Sequence, residues 1–517
     1  MGLPSHNVHL AKKNSTGVYV RHRPETTLLY QIVREYWPEF QAELASHGKY
    51  LPAYVTKEFD EYLKCGRLEH GFLRVRCESC HDEKLVAFSC KRRGFCPSCG
   101  ARRMADSAAL LVDEILPYQP MHQLSPGMAS IRAMQEQLPR VLSVPFPLRF
   151  LFASHPQVMT RVLGIVYRAI ATHLTHKAGF TKPMAQTGAV TLIQRFGGAL
   201  NLNIHFHMLF LDGVYADKKH GASGFRWLKA PTSDELTQLT HTIAHRAARY
   251  LERQGLLVRD AGNSYLTAEG ADTDNEVPIN HLLGSSITYR IAMGPQQGRK
   301  VFTLQTLPDC GNDPFAATLG KAAGFSLHAG VAARANERDK LERLCRYIAR
   351  PAVSTQRLSM TRNGQVRYEL KTPYANGTTH VIFEPLDFVS RLVALVPKPR
   401  VHLTRFHRVF APNSKYRTMV TPAKRGKGIR GKTARQQPDQ TPAERHASMT
   451  WAQRLKRVFN IDITSCSECG SDVRIIASIE DPSVISKILT HLDEREATVG
   501  TARLPQCRAP PATGLFD

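Results

Sequence analysis

The chain has 517 residues, 42% hydrophobic and 22% charged, which is long enough for more than one domain and ordinary for a globular protein. A net charge of +25 and a pI of about 9.8 call for a polyanionic partner, nucleic acid first. There is no run of 18 apolar residues and no signal-peptide pattern, so a cytoplasmic protein without a membrane role is expected, in which eleven cysteines suggest metal sites sooner than disulfides.

Residues 1–26 read as a basic N-terminal tail. Between 27 and 63, apolar residues recur at helical spacing on both sides of Gly48, which predicts two amphipathic helices. Cys77-x2-Cys80 and Cys96-x2-Cys99 follow, with 15 residues between the pairs. Each C-x2-C is a tight knuckle offering two thiolates to one tetrahedral ion, so the four together predict one structural zinc ribbon. Cys65 and Cys90 are possible further ligands, as are His70 and His81. Around the knuckles lie Lys91, Arg92, Arg93, Arg102 and Arg103, placed to meet phosphates; a merely solvated basic face is the plainer alternative. Residues 27–116 are thus helices plus ribbon, with a short helix at 106–116, and 117–146 is an irregular connector rich in Pro and Gly.

The run PLRFLFASHP (147–156) predicts a strand, and VMTRVLGIVYRAIATHLTHKAG a helix ending near Gly179. AVTLIQRF (189–196) predicts another strand, and Gly197-Gly198 turns the chain into NLNIHFHMLFLDGVY (201–215). That stretch alternates strictly. Leu202, Ile204, Phe206, Met208 and Phe210 form one face, and Asn201, Asn203, His205 and His207 the other. The two histidines project from one face about 6.5–7 Å apart, close enough to share a divalent ion. If 197–200 form the loop, paired positions sum to 397, so Leu192 faces His205 and Gln194 faces Asn203. Gln194 then lies on the histidine face, a candidate third ligand or partner of a ligand; polar hairpin surface is the other reading. Strand, helix, strand and hairpin in this order begin an α+β sheet domain.

A helix is expected from Trp227 to Gly255 with Ser233 as N-cap, then strand-like SSITYRIA and VFTLQTL. In NERDKLERLCRYIARP (336–351), Leu341, Leu344, Cys345 and Ile348 form an amphipathic stripe ended by Pro351. Tyr347 lies on its flank beside Arg343, Arg346 and Arg350. It is either a boundary tyrosine with a wet hydroxyl or a nucleophile held near phosphates. An Asn363-Gly364 hairpin, a strand at THVIFEP and a helix at 385–397 follow. PRVHLTRFHRVFAPNSKYR (399–417) interleaves aromatics with cations, Arg405 and Arg408 among them, as nucleic-acid surfaces do. The division expected is 147–352 the α+β sheet domain, 353–420 its extension, 421–447 a basic linker and 448–517 a small domain. The linker segment 424–435 carries six cations and no acid. The last domain holds one knuckle, Cys466-x2-Cys469, which could pair with His491, with another subunit or with nothing.

Five segments in this order resemble the HUH transposases of rolling-circle insertion sequences, of the insertion sequence ninety-one type, especially the single-tyrosine common-region (ISCR) branch. They are SCKRRGFCPSCGARRM (89–104), LIQRFGGALNLNIHFHMLFLDGVY (192–215), LERLCRYIARP (341–351), HLTRFHRVFAPNSKYR (402–417) and WAQRLKRVFNIDITSCSECG (451–470). The resemblance implies an α+β fold with an HUH endonuclease domain, an antiparallel sheet with helices on its faces, preceded by the zinc ribbon. It implies that His205 and His207 hold a catalytic Mg or Mn, that Tyr347 is the catalytic tyrosine and that the ribbon binds structural Zn. The expected partners are single-stranded and hairpin DNA of transposon ends, target DNA and a second copy in a homodimer. Ile348, Ala349, Arg350 and Pro351 follow Tyr347, so the helix lacks the second tyrosine of founding members. One tyrosine would act repeatedly, or in trans. Rival readings are a plasmid relaxase or replication initiator, a zinc-ribbon DNA-binding protein without catalysis, and a zinc hydrolase. No Walker A sequence supports the first, and Asp212, the acid nearest the histidines, reads as a turn cap rather than the base the last would need.

Overall fold

The computed structural model describes residues 23–125, 144–217, 223–259, 264–266, 277–306, 319–322, 325–374, 376–424, 465–466 and 468–499. In chain order the elements are α1 (Leu28–Ser46), α2 (Ala53–Lys64), β1 (Phe72–Cys77), β2 (Glu83–Ala87), α3 (Pro97–Ala109), β3 (Met121–Ser125), α4 (Phe146–Ser154) and α5 (Pro156–Lys177). Next come β4 (Ala185–Gln186), β5 (Gly188–Phe196), β6 (Leu202–Leu211), β7 (Gly213–Asp217), β8 (Ser223–Trp227), α6 (Ser233–Arg253), β9 (Leu257–Arg259), β10 (Ser264–Leu266) and α7 (Val277–Ile287). Then follow β11 (Phe302–Gln305), β12 (Leu319–Ala322), β13 (Phe325–Ala333), α8 (Arg338–Ala349), β14 (Leu358–Met360), β15 (Val366–Glu369), β16 (Thr378–Phe383) and α9 (Pro385–Leu395). The last are β17 (Thr404–Arg408), α10 (Arg417–Val420), β18 (Val473–Ile479) and α11 (Pro482–Val499). The chain divides into two compact units, one of residues 1–24, 65–89 and 439–517, the other of 25–64 and 90–438.

The larger unit is built on an antiparallel sheet of order β12-β13-β3-β6-β5-β17. Every residue of β6 is buried, so both of its faces are covered. On the even-numbered face, Phe152 of α4 meets Phe206 and Tyr167 of α5 stacks on Phe210, with ring centroids 6.0 and 5.7 Å apart. On the other face, α3, the π turn after it (Leu110–Ile115) and α8 share a core with the sheet. There Leu111, Val112, Leu341, Leu344, Cys345 and Ile348 pack on Val190, Leu192, Leu209 and Leu211. Burying apolar side chains of this size stabilises by about 1.5–3 kcal/mol each. Arg338, at the start of α8, donates to the carbonyls of Val112, Leu116 and Pro117, which holds that helix against the π turn. A second sheet, β11-β16-β15-β14, flanks α9. A fully buried ion pair, Asp387–Arg391 at 3.1 Å, pins α9 by accepting from Ala292 N–H and donating to the Ser285 and Arg290 carbonyls.

The smaller unit holds a sheet of order β18-β1-β2 over a core of Leu68, Phe72, Leu85, Ala87 and Ile485. Ile479, Ile488, Leu489 and Leu492 flank it, so α11 lays its apolar side on this sheet.

The α+β layering agrees with the sequence reading, and several elements differ. Residues 146–154 are helix, not strand. A short, mostly apolar run does not separate helix from strand by its period, and Leu148, Leu151 and Phe152 fall on one helical face behind a proline-led first turn. Ser285–Ile287 close α7 and the rest of SSITYRIA is loop, so no strand forms there. The connector 117–146 is not wholly irregular, since Met121–Ser125 is an inner strand of the main sheet; residues 126–143 lie outside the described residues. Thr232, not Ser233, caps α6, in a capping box with Glu235. The tail 1–22, the linker from 425 to 447 and the start of the last domain, 448–464, also lie outside the described residues.

Candidate active site and thiol clusters

The hairpin β5–β6 pairs Leu192 with His207 and Gln194 with His205, so paired positions sum to 399 rather than 397. The turn is longer than expected: Gly197 N–H bonds to the Asn201 carbonyl at 2.9 Å, and Leu200 takes a left-handed φ of 55°. A two-residue correction preserves faces, so Gln194 stays on the histidine side and now stands directly opposite His205.

His205 and His207 are 7% and 1% exposed, with ring centroids 5.1 Å apart at 62°. Burial pushes His205 down to about 3 and His207 well below the usual imidazole range. The Arg350 guanidinium adds to both shifts and Arg149 to that of His205, while the Asn203 carbonyl opposes the latter. Both rings are therefore neutral near pH 7, the form that ligates a metal. His205 Nδ1 lies 2.7 Å from the Asn203 carbonyl, and its Nε2 lies 2.9 Å from Gln194 Oε1. The Gln194 amide is oriented by its other end, where Nε2–H donates to the Ile348 carbonyl at 3.0 Å. Both neighbours of the imidazole are thus acceptors, and a neutral ring has one proton to give. With Nδ1–H donating to Asn203, Nε2 and Gln194 Oε1 face each other as lone pairs. A cation between them relieves that repulsion, so His205, His207 and Gln194 fit a divalent ion.

The bond to Ile348 places Gln194 between the histidines and the last turn of α8. The neighbouring Tyr347 is half-buried, its ring packed against the core under α8. The Arg350 guanidinium carbon sits 4.2 Å from that ring's centroid and 5.4 Å from that of Phe196, and its Nη1 donates to the Tyr347 carbonyl at 2.8 Å. Lys371 Nζ approaches the tyrosine ring from another loop at 5.8 Å. Gly100 of α3 touches the end of α8: a Cβ there would stand 2.8 Å from Pro351 Cβ, so only glycine allows this approach.

The other cations assigned to DNA are spread. Arg92 is paired with Glu61, Arg93 donates to the Val401 carbonyl, and Arg103 to the carbonyls of Lys91 and Arg92. Arg346 pairs with buried Glu342, and Arg405 donates to Thr160 Oγ1 on the α5 face of the sheet. Lys91, Arg343 and Arg408 are exposed, and Arg102 is half-buried on α3. Sequence reasoning did not find Arg149, Lys371 or the Asn203 carbonyl. Arg149 stands inside the run misread as strand, and Lys371 arrives from 24 residues beyond Tyr347.

The cysteines do not form the single ribbon expected. Cys77 and Cys80 gather with Cys466 and Cys469, while Cys96 and Cys99 gather with Cys90 and with Cys65, the residue after α2. Within each group all thiols lie within 4.8 Å of one another. The reason is the packing of α1 and α2. Trp37 stacks on Phe59 at 3.9 Å, Phe59 and Tyr62 enclose Phe95, and Glu58 accepts from Gly94 N–H at 2.6 Å. These contacts clamp the Cys90–Cys99 loop to α2. Eight thiolates in two sets of four fit structural zinc.

The chain matches two family models. Residues 188–417 match Y2_Tnp, described as "Putative transposase", and residues 32–124 match Zn_Tnp_IS91, described as "Transposase zinc-binding domain". The first span includes Gln194, His205, His207, Tyr347 and Arg350; the second includes six of the clustered cysteines but neither Cys466 nor Cys469. Searches of curated proteins and of solved structures return no match. No helix among the described residues is long and apolar enough to cross a membrane.

Proposed function

We propose, for a chain that belongs to the IS91 family of transposases, that it nicks and rejoins single-stranded DNA through a 5′-phosphotyrosine on Tyr347, in rolling-circle-type transposition. The observation that carries the reading is the Gln194 bridge, which ties the imidazole pair to the helix turn bearing the tyrosine. His205, His207 and Gln194 would hold Mg or Mn. Such an ion supplies charge to the scissile phosphate and to the departing 3′ oxygen. The Tyr347 oxygen forms a bond to phosphorus as the bond to the 3′ oxygen breaks, leaving a 5′-phosphotyrosyl link and a 3′-OH. Attack of a 3′-OH on that link reverses the step without ATP. Arg350, stacked on the tyrosine ring, balances the charge of the incoming phosphate at close range. The net charge of +25 supports binding to single strands and hairpins of element ends at the nucleoid, with a strong salt dependence. One tyrosine on α8 supports its repeated use, or use in trans by a second copy.

The test uses labelled single-stranded DNA from an element end with Mn or Mg. Wild type forms an adduct that survives SDS, and Tyr347→Phe forms none. His205→Ala and His207→Ala lose cleavage by about 100-fold or more while the protein still binds DNA. Equal adduct from Tyr347→Phe, or cleavage undiminished in both histidine variants, contradicts the reading.

A further inference from the structure

Cys466 and Cys469 lie beyond both family matches, and as a lone knuckle they offer half a metal site. The fold supplies the other half from 386 residues earlier. Cys77 Sγ is 3.4 Å from Cys469 Sγ, and Cys80 Sγ is 3.5 Å from Cys466 Sγ. Four sulfurs at about 2.3 Å from a tetrahedral zinc stand about 3.8 Å apart, close to this arrangement.

The backbone is shaped to present them. Gly470, at a left-handed φ of 76°, lets its N–H return to the Cys466 carbonyl at 2.9 Å, while Cys466 N–H bonds to the Ser471 carbonyl at 2.7 Å. On the opposite knuckle, Ser79 N–H points at Cys77 Sγ at 3.4 Å and Cys77 N–H bonds to the Asp82 carbonyl at 2.8 Å. Strand pairing brings the two turns together: β1 pairs with β18 so that Cys77 stands opposite Val473, and Glu78 N–H continues the ladder to the Asp472 carbonyl. Among the described residues, the core of the unit these strands form is five buried apolar side chains, and cores this small generally depend on a disulfide or a metal.

We propose that Cys77, Cys80, Cys466 and Cys469 are a second structural zinc site, and that this ion fastens the C-terminal strand and helix to the β1–β2 hairpin. Soft thiolates select zinc over the hard divalent ion of a nuclease centre, so the two metals do not exchange places. The zinc-binding module of this chain is then not complete within its N-terminal match; its second ion needs the last part of the chain.

The full-length protein, purified reduced, is tested by elemental analysis and by cobalt exchange. Two zinc ions per chain are expected, and cobalt gives the intense sulfur-to-metal bands of four-thiolate sites. Cys466→Ser with Cys469→Ser retains one zinc, as does Cys96→Ser with Cys99→Ser. Cys469→His, which keeps a ligand, retains two with a weaker cobalt–sulfur band. Hydrogen exchange at 473–479 rises in the first double variant and not in Cys469→His. One zinc in the wild type, or two in Cys466→Ser with Cys469→Ser, overturns the proposal. The wild-type count and the Cys469→His spectrum decide it even if a double variant fails to fold.

Discussion

The two units of this molecule are stabilised by different means. The larger buries both faces of β6 and places its polar residues, His205, His207 and Gln194, inside that packing. The smaller has, among the described residues, a core of five apolar side chains and a knot of four thiols. The difference teaches where metal matters for structure. In the sheet, burial alone holds His205, His207 and Gln194 in place. On the proposals above, an ion at the sheet would exchange without loss of the fold, whereas the thiol unit would lose its fold with its ion.

Metal removal probes this contrast most strongly. A thiol-directed chelator should remove stabilisation on the order of 10 kcal/mol from the smaller unit, since structural zinc contributes folding free energy directly. Hydrogen exchange should show 72–77 and 473–479 losing protection while 202–211 keeps it. Loss at 202–211 first would invert the comparison. Next in size is Phe206→Ala, which leaves a cavity under Phe152 and should cost about 3–5 kcal/mol in denaturant unfolding of the sheet, with zinc content unchanged. A zinc loss on that substitution would show that the two means of stabilisation are not separate. Smaller still is Gln194→Leu. It removes the link between His205 and Ile348 and should cost about 1–3 kcal/mol, with metal affinity at the histidines down by about 10–100-fold. Calorimetric titration with Mn at constant pH reads the second effect, and an unchanged affinity would remove Gln194 from the ligand set.

Much of the candidate site's geometry was legible in the sequence because it is local. The period-two alternation at 201–210 put His205 and His207 on one face, and helical spacing put Tyr347 on the flank of α8. Gln194 followed from pairing two adjacent strands, and survived a register error because the error was even. What the sequence did not disclose is long-range or aperiodic. Phe146–Ser154 is mostly apolar and too short for its period to separate helix from strand. Met121–Ser125 becomes an inner strand only because β13 and β6 flank it. The cysteines were paired by nearness in sequence, while the fold pairs Cys77 with Cys469 through strand β18. Helical spacing put Arg350 beside Tyr347, and its place over the ring follows from the extended backbone it takes as the C-cap of α8.

On the proposed chemistry, the Tyr347 oxygen is the atom of this chain that becomes bonded to DNA. Trapping the SDS-stable adduct, digesting it and sequencing the nucleotide-bearing peptide by mass spectrometry tests that most directly. The account predicts a single modified peptide, LCRYIAR or its overlap, with the nucleotide on Tyr347. A nucleotide on any other residue, or nicked DNA with no protein adduct at all, would contradict it.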